Sequence, residues 1–386
     1  MEKTACFLEP AINSVDLLII AAECSGDELG AELISDCRRL RPEMAIYGIG
    51  GANMRSATPH FLFDLVEHAV MGFVEVLRHH RFFRQFIRET IDWIVRSKPR
   101  RICFIDSPAL GLRIAQELTG RGISRKGGGA ISLFQYVAPQ VWAWKPQRRF
   151  ALAHCLDSLA VLFPFEVKSF SDTELPVTYT GHPFIHSSTP SLVRYEKNGR
   201  ILLLPGSRRT VVQRNFPTML DTIGEPALRH FSGVDCLHPT EDIGTMIREE
   251  IARRSDMEFK VQLISTEGAK IHPIEAQAVL VTAGTMSLRC ALEGLPGLIV
   301  YRTHPITYWL CRRMIRVPYI GIASILLGYE CYPEFLQSEA KPKILAEALT
   351  QFSKAREEFA VVARELRILL NDRSRSAAEW LMDGLF

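Results

Sequence analysis

Val15-Asp16-Leu17-Leu18-Ile19-Ile20-Ala21-Ala22 runs directly into Glu23-Cys24-Ser25-Gly26-Asp27, and helical spacing then continues through Arg39. An apolar run this short, bounded by charge, reads as a strand buried on both faces, as parallel sheets require. The turn and helix that follow are the start of a βαβ unit. Working outward, further strands are predicted at Met44–Tyr47, Ile102–Ile105, Ile131–Tyr136 and Leu159–Phe163. A second series is predicted at Ile201–Leu204, Val234–Leu237, Phe259–Ile264, Ala278–Val281 and Leu298–Tyr301. Strands alternating with helices predict an α/β protein with two doubly wound, Rossmann-like domains. Residues 184–199, with Ser187-Ser188-Thr189-Pro190-Ser191, read as the linker between a domain at 1–183 and one at 200–340. The helical text of 341–386 either caps the second domain or crosses back onto the first.

The totals exclude several classes of protein. The 386 residues fit two domains of roughly 100–200 residues each. A net charge of +3 and a pI near 8.4 are too mild for a nucleic-acid binder, whose domain pI exceeds about 9. The 47% hydrophobic and 23% charged content excludes wholesale disorder. No apolar run approaches the roughly 18 residues of a membrane span, and Leu17–Ala22 is too short for a signal peptide. Nine cysteines without a CxxC pair suit reduced thiols in a cytosolic protein. No metal-ligand spacing is present, and no cofactor is expected.

The mean hydropathy of +0.05 is high for such a protein, and one stretch accounts for it. Arg78–Arg101 carries eight basic residues against Glu89 and Asp92, with Phe83, Phe86, Ile87, Ile91, Ile94 and Val95 at helical spacing. Beside the apolar Val70-Met71-Gly72-Phe73-Val74, such a helix suits peripheral contact with an anionic membrane. Met71, Phe73, Arg78, Arg81, Arg84 and Arg88 are the candidate contacts. The same stripe also suits an ordinary helix packed on the sheet, and the two roles are compatible.

Ligands of open α/β sheets bind at the carboxyl ends of strands, beside helix N-termini. That rule selects Glu23, Ser25, Gly26 and Asp27, a set that reads equally as an N-capped turn. It selects Gly48-Ile49-Gly50-Gly51, read as a tight loop after the second strand; it is no dinucleotide fingerprint, since it is not GxGxxG. It selects Asp106 in Ile105-Asp106-Ser107-Pro108, either a helix cap or a general base. In the second series it selects Pro205-Gly206-Ser207-Arg208, where a sharp turn offers a hydroxyl and a guanidinium to a diphosphate. Gly284-Thr285, opening another helix, is its anion-binding counterpart.

Taken in order, these residues are specific. Glu23-x-Ser25-Gly26-Asp27, Gly48-x-Gly50-Gly51-x-x-Met54 and Met71-Gly72-x-x-Glu75-Val76-Leu77 come first. Ile105-Asp106-Ser107-Pro108 and Pro139-Gln140-Val141-Trp142-Ala143-Trp144 follow, with Arg148 behind them. Phe163-Pro164-Phe165-Glu166, Gly181-His182-Pro183, Pro205-Gly206-Ser207-Arg208 and Gly284-Thr285 complete the series. From about residue 17 to about residue 340 the chain resembles the lipid-A-disaccharide synthase family.

The resemblance implies a GT-B fold, with an interdomain cleft, and an inverting glycosyltransferase. It would transfer 2,3-diacylglucosamine from UDP-2,3-diacylglucosamine to 2,3-diacylglucosamine 1-phosphate, releasing UDP without a metal. The implied location is cytoplasmic, peripheral on the inner face of the cytoplasmic membrane; a homodimer stays open. Asp106 becomes the candidate base. Arg208, Ser207, Gly206, Gly284 and Thr285 become donor-site residues. Glu23, Ser25, Gly26, Asp27, Gly50, Gly51, Gln140, Trp142, Trp144 and Arg148 are assigned to the acceptor side. Several positions depart from the family pattern. Arg289 stands where a Glu is usual, leaving Glu293 as its substitute toward the ribose. Val211 or Val212 replaces an acidic residue, Ser324 an Asn, and Ala109-Leu110-Gly111 an Asp-Phe-Asn. These departures keep alternatives in view: a lipid- or nucleotide-binding homologue with weak or no transferase activity, or a transferase with another acceptor.

Overall fold

In the computed structural model, residues 14–70, 76–186, 191–254, 260–266, 272–305, 308–309 and 317–385 are described. The chain divides into two units, Met1–Pro183 with Asp372–Phe386, and Phe184–Asn371.

Unit 1 is built on seven parallel strands: β1 (Leu17–Ala21), β2 (Ile46–Gly50), β3 (His60–Asp64), β4 (Arg101–Ile105), β5 (Ser132–Tyr136), β6 (Ser158–Val161) and β7 (Val177–Tyr179). Their order is β3-β2-β1-β4-β5-β6-β7. All five residues of β1 are buried, as an apolar run flanked by strands on both sides must be. The helices are α1 (Cys24–Leu40), α2 (Ala52–Ala57), α3 (Leu65–Val70), α4 (Val76–Ser97), α5 (Pro108–Gly120) and α6 (Arg148–Cys155). Right-handed crossovers divide them between the faces. Leu33, Ile34 and Cys37 of α1 pack with Met54 of α2 in one cluster. Phe86, Ile91 and Ile94 of α4 pack with Ile114 and Leu118 of α5 and Leu152 of α6 in another.

The basic helix therefore turns its apolar stripe inward, and Trp93 joins that stripe, its ring centroid 5.6 Å from that of Tyr47. Arg84, Arg88 and Arg96 remain exposed. Met71 and Phe73, and the side chains of Arg78 and Arg81, lie outside the described residues.

Unit 2 holds β8 (Val193–Leu204), α8 (Arg209–Ile223), β9 (Val234–His238), α9 (Glu241–Ala252), β10 (Val261–Ser265), β11 (Ile274–Val281), α10 (Thr285–Leu292) and β12 (Gly297–Tyr301). A short α7 (Pro183–His186) precedes them. They are followed by α11 (Ile322–Leu327), β13 (Glu334–Leu336), α12 (Pro342–Phe352) and α13 (Arg356–Asn371). The parallel order is β10-β9-β8-β11-β12-β13. Strand β8 begins inside the segment read as linker: Val193 pairs with Ile274 and Arg194 with Glu275 before the register shifts to Arg200. Alternating charge in Arg194-Tyr195-Glu196-Lys197 hides that pairing from a search for apolar runs.

The helical tail divides. Helices α12 and α13 stay in unit 2, while Asp372–Phe386 belongs to unit 1. There α14 (Ala377–Met382) opens with a capping box between Ser376 and Glu379. Trp380 is buried against Phe134 and Tyr136, and its indole donates to Ser158 Oγ at 2.8 Å. The buried Arg101 donates to the backbone oxygens of Leu381 and Asp383 and lies over the Phe134 ring. Burial pulls its pKa down to about 10, so the guanidinium stays charged at neutral pH. The tail is thus part of the core of unit 1. Trp380→Ala should cost about 3–5 kcal/mol of unfolding free energy, measured by urea denaturation. A loss under about 1 kcal/mol would show that the tail contributes little to that core.

Candidate active site

Each sheet changes direction once, and the candidate residues gather there. In unit 1 the switch point lies between β1 and β4, where the carboxyl ends of parallel strands leave a crevice. Asp106, just past β4, receives a hydrogen bond from Ser25 Oγ on the far wall at 3.1 Å. Gly26 lets α1 come close: a Cβ there would stand 3.3 Å from the Ile105 oxygen and 3.6 Å from Asp106 Cβ. Glu23 is exposed at the α1 N-cap.

The backbone around Asp106 is strained. Asp106 (φ +51°), Ser107 (φ +40°) and, at the end of neighbouring β5, Val137 (φ +73°) are all left-handed. Conformations of this kind cost about 1–3 kcal/mol each and cluster at functional sites. The Asp106 N–H is tied to the Tyr136 oxygen at 3.0 Å. The side chain remains partly open, so an ionised Asp106 has lone pairs left to accept a proton from a bound hydroxyl.

Asp27 and the glycine run behave differently from the acceptor-side expectation. Asp27 is buried, and its carboxylate accepts from the backbone N–H groups of Gly51 (2.6 Å), Asn53 (3.0 Å) and Met54 (3.0 Å). It caps α2, placing negative charge at that helix's positive end. Gly48 and Gly50 lie within β2 and not after it. A Cβ on Gly51 would come within 2.8 Å of Asp27 Oδ2. The glycines make room for this carboxylate and for Met54.

Three separate motifs meet past β5 and β6. Trp142 is half-buried, donates from Nε1 to Glu166 Oε1 at 3.2 Å, and meets Phe165 edge-on. Phe163 stacks on both Phe165 and His182. Glu166 is buried, and its second oxygen accepts from the Phe163 N–H at 3.1 Å. Gln140 and Trp144 are exposed, with Lys145 Nζ 5.4 Å from the Trp144 ring, and Arg148 opens α6. Sequence reasoning assigned no role to Glu166 or to the fully buried Gln135. A carboxylate inside Phe163-Pro164-Phe165-Glu166 was the available signal for the first; an isolated glutamine in a strand gives none.

In unit 2 the switch point lies between β8 and β11. Gly206 (φ +106°) makes the turn that Ser207 and Arg208, both exposed, follow into α8. Thr282 ties the neighbouring strand end to it, bonding the Leu204 oxygen through its N–H at 3.0 Å and its hydroxyl at 3.3 Å. Gly284 and Thr285 then open α10, and both are exposed. Two helix N-termini thus stand at the ends of paired strands, with Arg208 beside them, an arrangement suited to a diphosphate.

Glu293 is not part of it. It ends α10, about 12 Å of helix from Thr285, and its carboxylate pairs with Arg367 at 2.9 Å. Arg289 lies with its guanidinium 4.0 Å from the centroid of the Phe184 ring. Val212 is buried, and Val211 lines the space next to Gly206. Ser324 is fully buried, accepting from the Cys331 N–H at 3.3 Å.

A family model described as lipid-A-disaccharide synthetase matches residues 17–383. Lipid-A-disaccharide synthase 1 of Legionella pneumophila (strain Lens) is 30% identical over 383 residues, covering 95% of both chains. The synthase of Geobacter metallireducens is 31% identical over 348 residues, 87% of each. Among solved structures, the UDP-GlcNAc 2-epimerase of Neisseria meningitidis, bound to UDP-GlcNAc, aligns with a TM-score of 0.57. It covers 93% of this chain and 98% of its own at 10% identity, a likeness of fold alone.

Glu166 carries a measurable consequence. Burial pushes its pKa up from 4.5 to about 7, against the pull of its hydrogen bonds from the backbone at Phe163 and Leu162 and from Trp142. A carboxyl raised in this way favours the folded state while protonated. That stability is present below the unfolded value and drains away as pH rises through about 7. Unfolding free energy should fall by about 3 kcal/mol between pH 4.5 and 7, at 1.36 kcal/mol per pH unit. Glu166→Gln should lack that slope. Denaturation midpoints at a series of pH values test this, and parallel curves for the two proteins would refute it.

Proposed function

The chain belongs to the lipid-A-disaccharide synthetase family and is a glycosyltransferase; on that premise we propose how its two units divide the reaction. The donor is UDP-2,3-diacylglucosamine and the acceptor is 2,3-diacylglucosamine 1-phosphate. Unit 1 takes the acceptor at its β1/β4 crevice, and unit 2 takes the nucleotide at β8/β11. The observation that carries this reading is that each unit sets its motif residues on both sides of its own switch point, Ser25 with Asp106 and Arg208 with Thr285.

Asp106 accepts the proton of the acceptor 6-hydroxyl as that oxygen forms its bond to the donor C1. The bond from C1 to the diphosphate breaks, its electron pair leaves with UDP, and the anomeric centre inverts to β. Charge developing on the departing diphosphate is met by Arg208 and by the N–H groups opening α8 and α10. The chain's own residues supply the electrostatics, and no metal is invoked. Ser25 fixes one oxygen of Asp106 and leaves the other for the substrate.

Asp106→Asn should lower kcat by about 10²–10⁴-fold while UDP binding stays intact. Arg208→Ala should weaken UDP binding and lower kcat/KM by about 10²–10³-fold. Disaccharide formation from defined substrates in chelating buffer, with UDP titration calorimetry, reads both. Full activity in Asp106→Asn removes the base assignment.

We also propose that α4 meets an anionic membrane through Arg84, Arg88 and Arg96, exposed opposite its buried stripe. No described helix is long and apolar enough to cross a membrane. Flotation with phosphatidylglycerol vesicles should succeed at low salt and fade as ionic strength shortens the screening length below about 8 Å. Replacing the three arginines by Gln should abolish it; binding that ignores both salt and these substitutions rejects the assignment.

A further inference from the structure

Gln135 lies on β5, the strand paired with β4, and takes no part in the chemistry above. Its side chain is fully buried. The amide nitrogen stands 3.0 Å from the Asp106 carbonyl oxygen, 3.2 Å from that of Val137 and 3.3 Å from that of Tyr136. A carboxamide carries two N–H donors, so three carbonyls share them. Turning the group over would set its oxygen against three other oxygens, which fixes its orientation.

The acceptors are the carbonyls of the strained strand ends. Asp106 and Val137 are themselves left-handed, and Tyr136 joins them to β5. Backbone of this kind persists only where its surroundings over-determine it. Fixing the Asp106 carbonyl fixes the peptide plane on one side of its α-carbon. The Asp106 N–H, bonded to the Tyr136 oxygen, fixes the other side. The direction of the carboxylate follows from the two together.

The opposite end of Gln135 argues the same way. Its Oε1 is buried without a hydrogen-bond partner among the described residues, 3.0 Å from where a Cβ on Gly111 would lie. A buried orphan acceptor destabilises the fold, and an apolar residue of similar volume would avoid that cost. Packing therefore does not explain a glutamine here, whereas its N–H donors do.

We propose that Gln135 is a positioning residue for Asp106: its amide locks the ends of β4 and β5 in the turn that presents the Asp106 carboxylate beside Ser25. The inference rests on Asp106 being the base, and the test separates the two.

The intact enzyme is compared with Gln135→Leu, Gln135→Glu, Asp106→Asn and the Gln135→Leu/Asp106→Asn double variant. Gln135→Leu should lower kcat by about 10–100-fold with the donor KM within about twofold, because binding residues are untouched. In the double variant the loss should not add to that of Asp106→Asn. Gln135→Glu sets a carboxylate against three carbonyls at alkaline pH. Protonation returns one donor, so its activity relative to wild type should rise as pH falls, a signature that lost packing would not produce. If Gln135→Leu fails to fold, this ratio decides alone, since it is read within one folded protein.

A kcat within twofold of wild type in Gln135→Leu overturns the proposal. So does a full additive loss in the double variant, or a pH-independent ratio for Gln135→Glu. Full activity in Asp106→Asn overturns both the base and its positioning. An inactive Asp106→Asn beside an unaffected Gln135→Leu overturns the positioning alone.

Discussion

Parallel strands can follow one another only through crossovers, and those crossovers are right-handed. The rest of the architecture depends on this constraint. From β1 the chain winds outward to β2 and β3, then returns across the sheet to β4 and continues the other way. The connections leaving β1 and β4 therefore part to opposite faces, and the gap they leave lies at the carboxyl edge. Ser25 and Asp106, 81 positions apart, meet across it because of that path and for no local reason. Unit 2 repeats the device: β8 feeds β9 and β10, the chain returns to β11, and the two anion-type turns end on neighbouring strands.

Such crevices need rigid walls, and the buried charges of unit 1 are spent on them. Asp27 is fixed by three N–H groups of α2, which locks the start of α1 to the end of β2. Arg101 opens β4, the strand that ends in the catalytic candidate, and holds the returning tail by two carbonyls. A guanidinium bonded to carbonyl oxygens through its two terminal nitrogens, with an aromatic face beneath it, keeps its charge through burial. One end of β4 is thus tied to the tail of the chain while the other carries Asp106. Asp27 resembles a site residue in the sequence because it stands in the turn after β1 beside Ser25, and burial is what separates the two roles.

That distinction marks the limit of what the sequence discloses. Short apolar runs bounded by charge, such as Leu17–Ala21, announce their strands, and the switch points follow from the alternation of elements. Asp106, Arg208, Gly284 and Thr285 stand at strand ends and could be chosen on that ground. Strand β3 (His60–Asp64) and the three-residue β7 and β13 were missed, being too short or too polar to show a period. Nothing in Ser25-Gly26-Asp27 says which side chain turns inward, so the sequence leaves Asp27 open between a ligand contact and a cap. Glu293, expected toward the ribose, stands at the far end of α10 from the helix N-terminus and pairs with Arg367, a partner that no residue pattern announces. Gln135 could not be found at all, since its role lies in backbone angles that no residue pattern encodes.

The departures from the family pattern can be weighed by the same physics. Where the family resemblance implies an Asn, this chain has Gly111, and a side chain there would press on Gln135 Oε1 and on Phe104. Gly111 and Gln135 are therefore one local solution: the absent side chain makes room for the carboxamide that bonds the strained turn. Ser324, in place of another Asn, bonds Cys331 within the core. Arg289, in place of a Glu, rests its guanidinium on Phe184. Gly111, Ser324 and Arg289 each sit in a formed contact inside their own unit. The elements proposed to meet an acceptor hydroxyl and a diphosphate, namely the Asp106 turn and the two helix N-termini, stand at the switch points. At Gly111 the packing itself shows the fit: a side chain there would leave no room for the Gln135 carboxamide that bonds the ends of β4 and β5.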